Sequence, residues 1–482
     1  MSKKLFVIGL DCADPVLVFD RWADELPNLK KLMEAGTYGE LESTVPPITV
    51  PAWTCMLTGK DPGELGFYGF RNRANYSYDQ MSIATSTAVK FPRVWEWASA
   101  AGKRVIVIGV PQTYPPRPVN GLLVTSFLTP STFSDYTYPK EFKAEIARVV
   151  GDYMLDVRDF RTEDKGYLLQ QIYEMTEKRC KLVKHLLRTR AGQWDFFMWV
   201  EMGPDRIHHG LWKYTDPRHP KYEPGNPYES SIRDYYRYLD REIGEMLALL
   251  PEDAAVLVMS DHGAQPLMGG ICINEWLMRE GYLTLADEEY MPGNRRKIVT
   301  DELCDVQKPQ AGQPIPLEKV EIDWTKTRAW AAGGYYGRLF LNVQGREPKG
   351  VIPADQYEAT RDELIEKLEG MIGLDGKPLG TRVVRPEDVY REINNIPPDL
   401  IIYFGNLAWR SVGSVGLGRI YTFENDTGPD DANHAQQGMF ILVEPGKRGG
   451  GRVQRTWRAV APTMLELIGL PMTAYMDDER LG

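Results

Sequence analysis

The segment Ala254-Ala255-Val256-Leu257-Val258-Met259-Ser260-Asp261-His262-Gly263 indicates the class of fold. Its apolar run follows Pro251-Glu252-Asp253 and is too short for a typical helix, so it predicts a buried strand of a parallel sheet. Open α/β sheets bind their ligands beyond the carboxyl ends of the strands. Asp261 and His262 lie at that point and offer oxygen and nitrogen donors suited to a divalent metal. For this pair alone, a turn with a capping aspartate is the alternative interpretation.

Length and composition restrict the class of protein. The 482 residues can bury a large core and hold more than one structural unit. A net charge of −10 argues against binding to a nucleic-acid polymer, although a bound metal would still attract a small anion.

The apolar run before Asp11 lacks a signal-peptide cleavage site, and no stretch reaches the apolar length of a membrane span. The five cysteines form no C-x-x-C pair, which favours reduced thiols. We therefore expect a cytoplasmic protein without a membrane partner, and no feature of the sequence indicates an oligomeric state.

Further strands and helices place polar residues at the same edge of the sheet. Residues 5–10 predict a strand that ends at Asp11. Three prolines hold the chain extended before a helix that ends near Gly59, which leaves Thr49 near the amino terminus of that helix. Unpaired N–H groups there favour an anion such as phosphate. A strand over residues 194–200 leads to Asp205 and His209, and His434 precedes a strand over residues 438–443.

The order of elements predicts two regions. Residues 1–274 and 392–482 are predicted to form the catalytic core, with residues 110–190 as an additional helical insertion. Residues 275–391 mix short helices with polar loops, which predicts a cap or insertion.

The strand-end residues together point to more than one metal. Asp205 and His209 are four residues apart, so a helical turn would place both on one face. His208 is the alternative ligand, but the four-residue spacing favours His209. Each of these residues alone could be a cap or an ordinary polar residue. Their combination, in a chain with only six histidines, favours a metal centre.

In this order the motifs resemble the alkaline phosphatase superfamily, and specifically its branch of type I phosphodiesterases and nucleotide pyrophosphatases. The matching segments are the strand into Asp11, Thr49-Val50-Pro51-Ala52-Trp53 with Thr58-Gly59, Asp205-x-x-x-His209, Ser260-Asp261-His262-Gly263, and His434 before a strand. The resemblance implies an alkaline-phosphatase-like α/β fold, with a three-layer α/β/α core, a mostly parallel sheet and an inserted cap.

The resemblance also implies which residues hold two divalent metal ions. One ion would be held by Asp11, Asp261 and His262, with Thr49 as a further ligand. The other would be held by Asp205, His209 and His434. Zinc is usual in the family, and manganese or iron occurs in relatives; Asp and His ligands do not distinguish these metals.

The implied activity is hydrolysis of a small phosphate ester, most specifically a phosphodiester, through a phosphothreonine at Thr49. A phosphonate hydrolase or phosphomonoesterase of the same superfamily is the alternative enzyme. A non-catalytic metal-binding protein on the same fold is the alternative from another class. Near Thr49, Val50 and Trp53 are candidates to contact the substrate. In the cap the candidates are Tyr335, Tyr336 and Arg338, because Arg pairs well with phosphate oxygens; a turn with packed tyrosines is the alternative there.

Overall fold

The computed structural model describes residues 4–286 and 312–482, and these residues form two compact units. The first unit comprises the chain up to Phe70, Ile83–Gln265 and His434–Gly482. The second comprises Arg71–Ser82 and Pro266–Asn433. Residues 287–311 of the predicted cap, which include Cys304, lie outside the described residues.

Strands and α-helices are numbered in chain order. The strands are β1 (Lys4–Leu10), β2 (Thr37–Glu42), β3 (Arg71–Arg73), β4 (Met81–Ile83), β5 (Val105–Ile108), β6 (Gly121–Val124), β7 (Thr137–Tyr138), β8 (Phe196–Glu201), β9 (Ala254–Met259), β10 (Gly263–Pro266), β11 (Gly269–Cys272), β12 (Ala329–Ala332), β13 (Gly337–Leu341), β14 (Arg382–Val384), β15 (Leu400–Tyr403), β16 (Trp409–Val412), β17 (Tyr421–Thr422), β18 (Ala432–Ala435), β19 (Gln437–Val443), β20 (Gly451–Arg452) and β21 (Arg455–Thr456). The α-helices are α1 (Pro27–Ala35), α2 (Thr49–Thr58), α3 (Pro62–Leu65), α4 (Val94–Ala100), α5 (Phe142–Val150), α6 (Lys165–Thr189), α7 (Gly203–Thr215), α8 (Ser231–Leu247), α9 (Ile273–Arg279), α10 (Tyr357–Glu369), α11 (Pro386–Val389) and α12 (Val460–Leu467).

The first unit is built on one large sheet with the strand order β20-β2-β19-β9-β1-β8-β5-β6-β7, in which β21 also pairs with β2. The central strands β9, β1, β8, β5 and β6 are parallel, and β19 and β7 join antiparallel. Helices α1, α5, α6, α7 and α8 pack together as one group, and α2, α4 and α12 pack as another. Strands β8 and β9 are buried along their whole length, which is typical of a parallel sheet covered on both faces. The predicted α/β fold with a mostly parallel sheet is confirmed.

The register of the central strands brings three polar segments to one edge. Leu10 of β1 lies opposite Glu201 of β8, and Gly9 lies opposite Met259 of β9. Asp11, the start of α7 and Asp261 therefore follow directly from the carboxyl ends of neighbouring parallel strands. This edge is where an open α/β sheet binds its ligand.

The second unit has its own antiparallel sheet, β12-β13-β15-β14, and a smaller sheet, β16-β11-β17. Its apolar core includes Leu277, Leu339 and Leu400. Residues 392–433, which the sequence pattern places in the core, belong instead to this second unit because β15 pairs with β13 and β14. Residues 110–190 belong to the first unit, where they supply β6 and β7 to the large sheet. Among the described residues, no helix combines the length and apolar character needed to cross a bilayer.

Gly9 gives helix α2 room against the sheet. A Cβ atom at Gly9 would lie 2.6 Å from Cη2 of Trp53, which belongs to α2, and 2.7 Å from Cγ2 of Val200. Both distances are shorter than real Cβ contacts. The missing side chain therefore lets the indole of Trp53 lie directly on β1.

We expect Gly9→Ala to lower the free energy of unfolding by about 1–3 kcal/mol, because an added methyl group overpacks a closed core. Gly166→Ala is the matched control: the added Cβ would meet its nearest atom at 3.6 Å, an ordinary contact. Urea denaturation of both variants measures the difference. Equal effects of the two substitutions would show that β1 and Trp53 are not in close contact.

Candidate metal centre

Three buried aspartates each have one oxygen bound by a donor of the protein. Oδ2 of Asp11 accepts a hydrogen bond from Nε1 of Trp53 at 2.7 Å. Oδ1 of Asp261 accepts one from the backbone N–H of Cys12 at 3.2 Å, and Oδ2 of Asp205 accepts one from Arg206. The opposite oxygens, Asp11 Oδ1 and Asp261 Oδ2, are buried and have no hydrogen-bond partner among the described residues. Buried carboxylate oxygens are rarely left unpaired, and a bound cation would satisfy both of these oxygens.

The rings of His262 and His434 are each fixed through Nδ1, which leaves Nε2 available to a metal. Nδ1 of His262 lies 3.1 Å from the carbonyl oxygen of Gly263, and Nδ1 of His434 lies 2.7 Å from that of Pro47. A carbonyl oxygen only accepts, so each Nδ1 carries the proton and each Nε2 keeps its lone pair. Metal-binding histidines are commonly fixed in this tautomer by such contacts.

The potential ligand atoms lie in two adjacent groups. Those of Asp11, Asp261 and His262 all lie within 4.8 Å of one another. In the second set, His209 Nε2 lies 3.3 Å from both Asp205 Oδ1 and His434 Nε2. The Asp205 Oδ1 to His434 Nε2 distance is 3.9 Å. His262 also lies within 4.8 Å of Asp205 and His434, so the two sets are adjacent.

The structure separates His208 from His209. Both are on α7, but Nε2 of His208 lies 3.2 Å from the hydroxyl of Tyr236 and its ring stacks on that tyrosine. Consecutive residues of a helix point to different sides. His209, and not its neighbour, therefore points towards Asp205 and His434.

Thr49 is the first residue of α2, and its side chain contacts the first ligand set. Oγ1 lies 3.4 Å from Nε2 of His262, and Thr49 is only 3% exposed. Helix α2 begins without a side-chain cap, so the first backbone N–H groups, including that of Val50, are available to an anion.

The electrostatics of these residues also favour cations. Burial, with the charge of nearby aspartates, raises the pKa of Asp11 and Asp261 well above the ordinary value. Burial lowers the pKa of His262 to about 4 and that of His434 well below its ordinary value. For Asp205, the cost of burial is outweighed by His209 and Arg206, which hold its pKa low. A divalent ion would stabilise ionised carboxylates beside neutral imidazoles, so the donors fit two such ions.

The sequence model of the type I phosphodiesterase/nucleotide pyrophosphatase family matches residues 5–430. The chain belongs to this family. Family membership supports a phosphoester hydrolase, and the family typically depends on divalent metals. A sequence comparison with curated proteins found no significant match.

Solved structures of the alkaline phosphatase superfamily share the fold. Phosphonoacetate hydrolase from Sinorhizobium meliloti 1021, in complex with phosphonoformate, is 15% identical with a TM-score of 0.58; the match covers 97% of this chain and 95% of that chain. Human ectonucleotide pyrophosphatase/phosphodiesterase 5 is 12% identical with a TM-score of 0.52, over 98% and 96% of the two chains. The murine protein, in an inactive form in complex with AMP, is 11% identical with a TM-score of 0.53 over the same shares. The predicted family resemblance is confirmed.

The predicted substrate contacts receive different assignments. Trp53 is fully buried and its N–H donates to Asp11, so the structure shows a contact with a predicted ligand, and a contact with substrate stays a prediction. Tyr335, Tyr336 and Arg338 lie in the second unit. There the hydroxyl of Tyr335 donates to Asp430, Tyr336 is buried, and Arg338 donates to the carbonyl oxygen of Arg71. These contacts match the packed-turn alternative, and a role in substrate binding stays a prediction.

Three residues outside the sequence predictions support the segments that carry the predicted ligands. Cys12 follows Asp11 with a φ of 63°, which turns its N–H towards Asp261. The hydroxyl of Ser260 donates to the carbonyl oxygen of Ala13 and accepts from the N–H of Met439, both at 2.8 Å. Arg206 binds the side chain of Asp205. Ser260 and Arg206 are next to predicted ligands in sequence, which is the signal that could have found them.

We expect His209→Ala to reduce the number of bound metal ions, while His208→Ala retains it at some cost in stability. The reason is that only His209 faces the ligand set. Metal content measured by mass spectrometry after dialysis checks this. Loss of metal from the His208 variant alone would reverse the assignment.

We expect Trp53→Phe to cost about 1–3 kcal/mol, because it leaves an oxygen of Asp11 buried without its donor. Trp95→Phe is the control, since the N–H of Trp95 is buried without a partner among the described residues. Chemical denaturation of both metal-free variants gives the comparison. A larger loss in the control would contradict the role of the Trp53–Asp11 hydrogen bond.

Proposed function

We propose that this protein is a phosphodiesterase that uses two divalent metal ions, most simply zinc, and a phosphothreonine intermediate at Thr49. The supporting observation is the position of the Thr49 hydroxyl. It lies at the start of α2 and 3.4 Å from Nε2 of His262, beside the predicted first ligand set. A small phosphate ester is the proposed substrate class.

The ligand sets and the nucleophile have separate roles. Asp11, Asp261 and His262 would hold one ion, with Thr49 as a further ligand, and Asp205, His209 and His434 would hold the other. When bound, two such ions polarise the phosphoryl group, favour the deprotonated nucleophile and stabilise the leaving oxygen. The buried imidazoles favour their neutral form because burial lowers the pKa of His262 and His434, and metal binding requires that form.

In the first step, Oγ1 of Thr49 attacks phosphorus as its proton passes to solvent water, and the bond to the leaving-group oxygen breaks. The leaving alkoxide takes a proton from water and departs as an alcohol, while the other ester bond stays on the phosphothreonine. In the second step, water attacks phosphorus, the bond to Oγ1 breaks, and a proton of that water restores the Thr49 hydroxyl as the phosphomonoester is released. The N–H of Val50 and the amino terminus of α2 bind the non-bridging oxygens, since unpaired N–H groups there favour anions.

A reducing compartment agrees with the cysteines. Cys12, Cys55, Cys180 and Cys272 are buried thiols that form no disulfide. We therefore retain a cytoplasmic location as part of the proposal.

We expect Thr49→Ala to abolish turnover of bis(p-nitrophenyl) phosphate, because no other hydroxyl replaces the nucleophile, while metal content stays near that of the wild type. Thr49→Ser is the matched control and should keep measurable activity, since it supplies an alcohol at the same position. Mass spectrometry of rapidly quenched wild-type protein should find a p-nitrophenyl phosphoryl group on Thr49, because one ester bond of the substrate is retained in the intermediate.

Unchanged diester hydrolysis by Thr49→Ala would contradict the proposal. A substrate panel of diesters, monoesters and phosphonates, ranked by kcat/KM, distinguishes the alternatives. Faster turnover of phosphonates or monoesters would replace the diester assignment. Bound metal without turnover of any member would favour a binding protein.

A further inference from the structure

We propose that Arg206, together with Asp156, is a positioning residue that makes Asp205 bind its metal through one oxygen only. The inference rests on the proposed two-metal site and concerns residues that the sequence pattern does not single out. Arg206 does not belong to either predicted ligand set. Its role is defined by the carboxylates on its two sides.

The guanidinium of Arg206 joins Asp205 to Asp156. Its Nη1 binds Oδ2 of Asp205, while Nε and Nη2 bind the two oxygens of Asp156 at 2.8 and 2.7 Å. Oδ1 of Asp205 remains directed at His209 and His434. A paired, planar arrangement of this kind fixes orientation as well as charge.

The rings around Arg206 restrict its movement. Its guanidinium carbon lies 5.5 Å from the ring centre of Phe127 and 4.9 Å from that of Phe160. Arg206 is buried to 7% exposure. The side chain is therefore held in position by two aromatic rings and two carboxylates without any contact to a substrate.

The charge of Asp156 balances that of Arg206. A guanidinium beside a metal ligand would repel the metal ion. Asp156 carries the compensating negative charge, so the Arg206–Asp156 pair orients Asp205 without adding net charge to the second ligand set. The other two aspartates are held by the uncharged N–H groups of Trp53 and Cys12 and need no such compensation.

Asp205 can then offer only Oδ1 to the metal. Without Arg206, the carboxylate can rotate and offer both oxygens or the wrong one. Residues that orient metal ligands typically contribute about 10–100-fold to metal affinity. The loss of metal affinity on removing Arg206 should be confined to the second ligand set, which is Asp205, His209 and His434.

The test is a zinc titration of chelator-treated full-length protein, with wild type, Arg206→Lys, Arg206→Met and Asp156→Asn compared. The titration should resolve two zinc ions, a first equivalent that binds more tightly and a second that binds more weakly. In Arg206→Met we expect the second to bind about 10–100-fold less tightly than in wild type and the first to be unchanged. Arg206→Lys should recover part of the loss because it keeps the charge. Asp156→Asn should also weaken the second equivalent, since it leaves Arg206 uncompensated.

Arg361→Lys is the control for altering a buried, ion-paired arginine, because its pairs are with Glu358 and Glu387 rather than with a predicted ligand. Thermal unfolding verifies the fold of each variant. If Arg206→Met does not fold, Asp156→Asn still provides the test, since Asp156 is half-buried and Asn has the same shape.

Wild-type affinity for both equivalents in folded Arg206→Met and Asp156→Asn would overturn the inference. An equal loss of both equivalents would overturn its restriction to one ligand set. Failure of the wild type to bind two equivalents would instead count against the proposed two-metal function, so the two failures are distinguishable.

Discussion

Negative charge that is buried at one edge of a sheet must be compensated, and this constraint organises the first unit. Asp11 and Asp261 follow neighbouring parallel strands, so their carboxylates are close together and fully buried. Burial raises the pKa of both groups, and the charge of neighbouring aspartates raises it further. The oxygens that lack a hydrogen-bond donor, Asp11 Oδ1 and Asp261 Oδ2, lie 4.0 and 3.2 Å from Nε2 of His262. Divalent cations would satisfy both kinds of group, and donors of the protein already fix the remaining oxygens.

The fold supports this arrangement through small local features. Gly9 lets Trp53 approach β1, and Trp53 then holds Asp11. The left-handed backbone of Cys12 directs an N–H to Asp261. The side chain of Ser260 connects the segment after β1 to β19. Helix α2 starts at Thr49, so the proposed nucleophile and the anion-binding end of the helix coincide.

Much of this can be predicted from the sequence, because apolar runs that end in Asp or His carry both fold and chemistry. The strand predicted before Asp261 covers the residues that β9 occupies. The four-residue spacing predicts His209 as the ligand, and in the structure His209 faces Asp205 while His208 faces Tyr236. The residues that hold the ligands are not predictable in this way. Trp53 reaches Asp11 only because Gly9 lies opposite, and Arg206 depends on Asp156, 50 positions away. The pairing of β15 with β13, which assigns residues 392–433 to the second unit, likewise depends on contacts distant in sequence.

The proposed function requires that two adjacent ligand sets each bind a divalent ion. Anomalous diffraction at the metal absorption edge, from crystals of the metal-loaded protein, is the decisive measurement. We expect two anomalous peaks, one among Asp11, Asp261 and His262 and one among Asp205, His209 and His434. We also expect Asp205 to contact its peak through Oδ1 alone. A single peak, or density at neither ligand set, would contradict the proposed function.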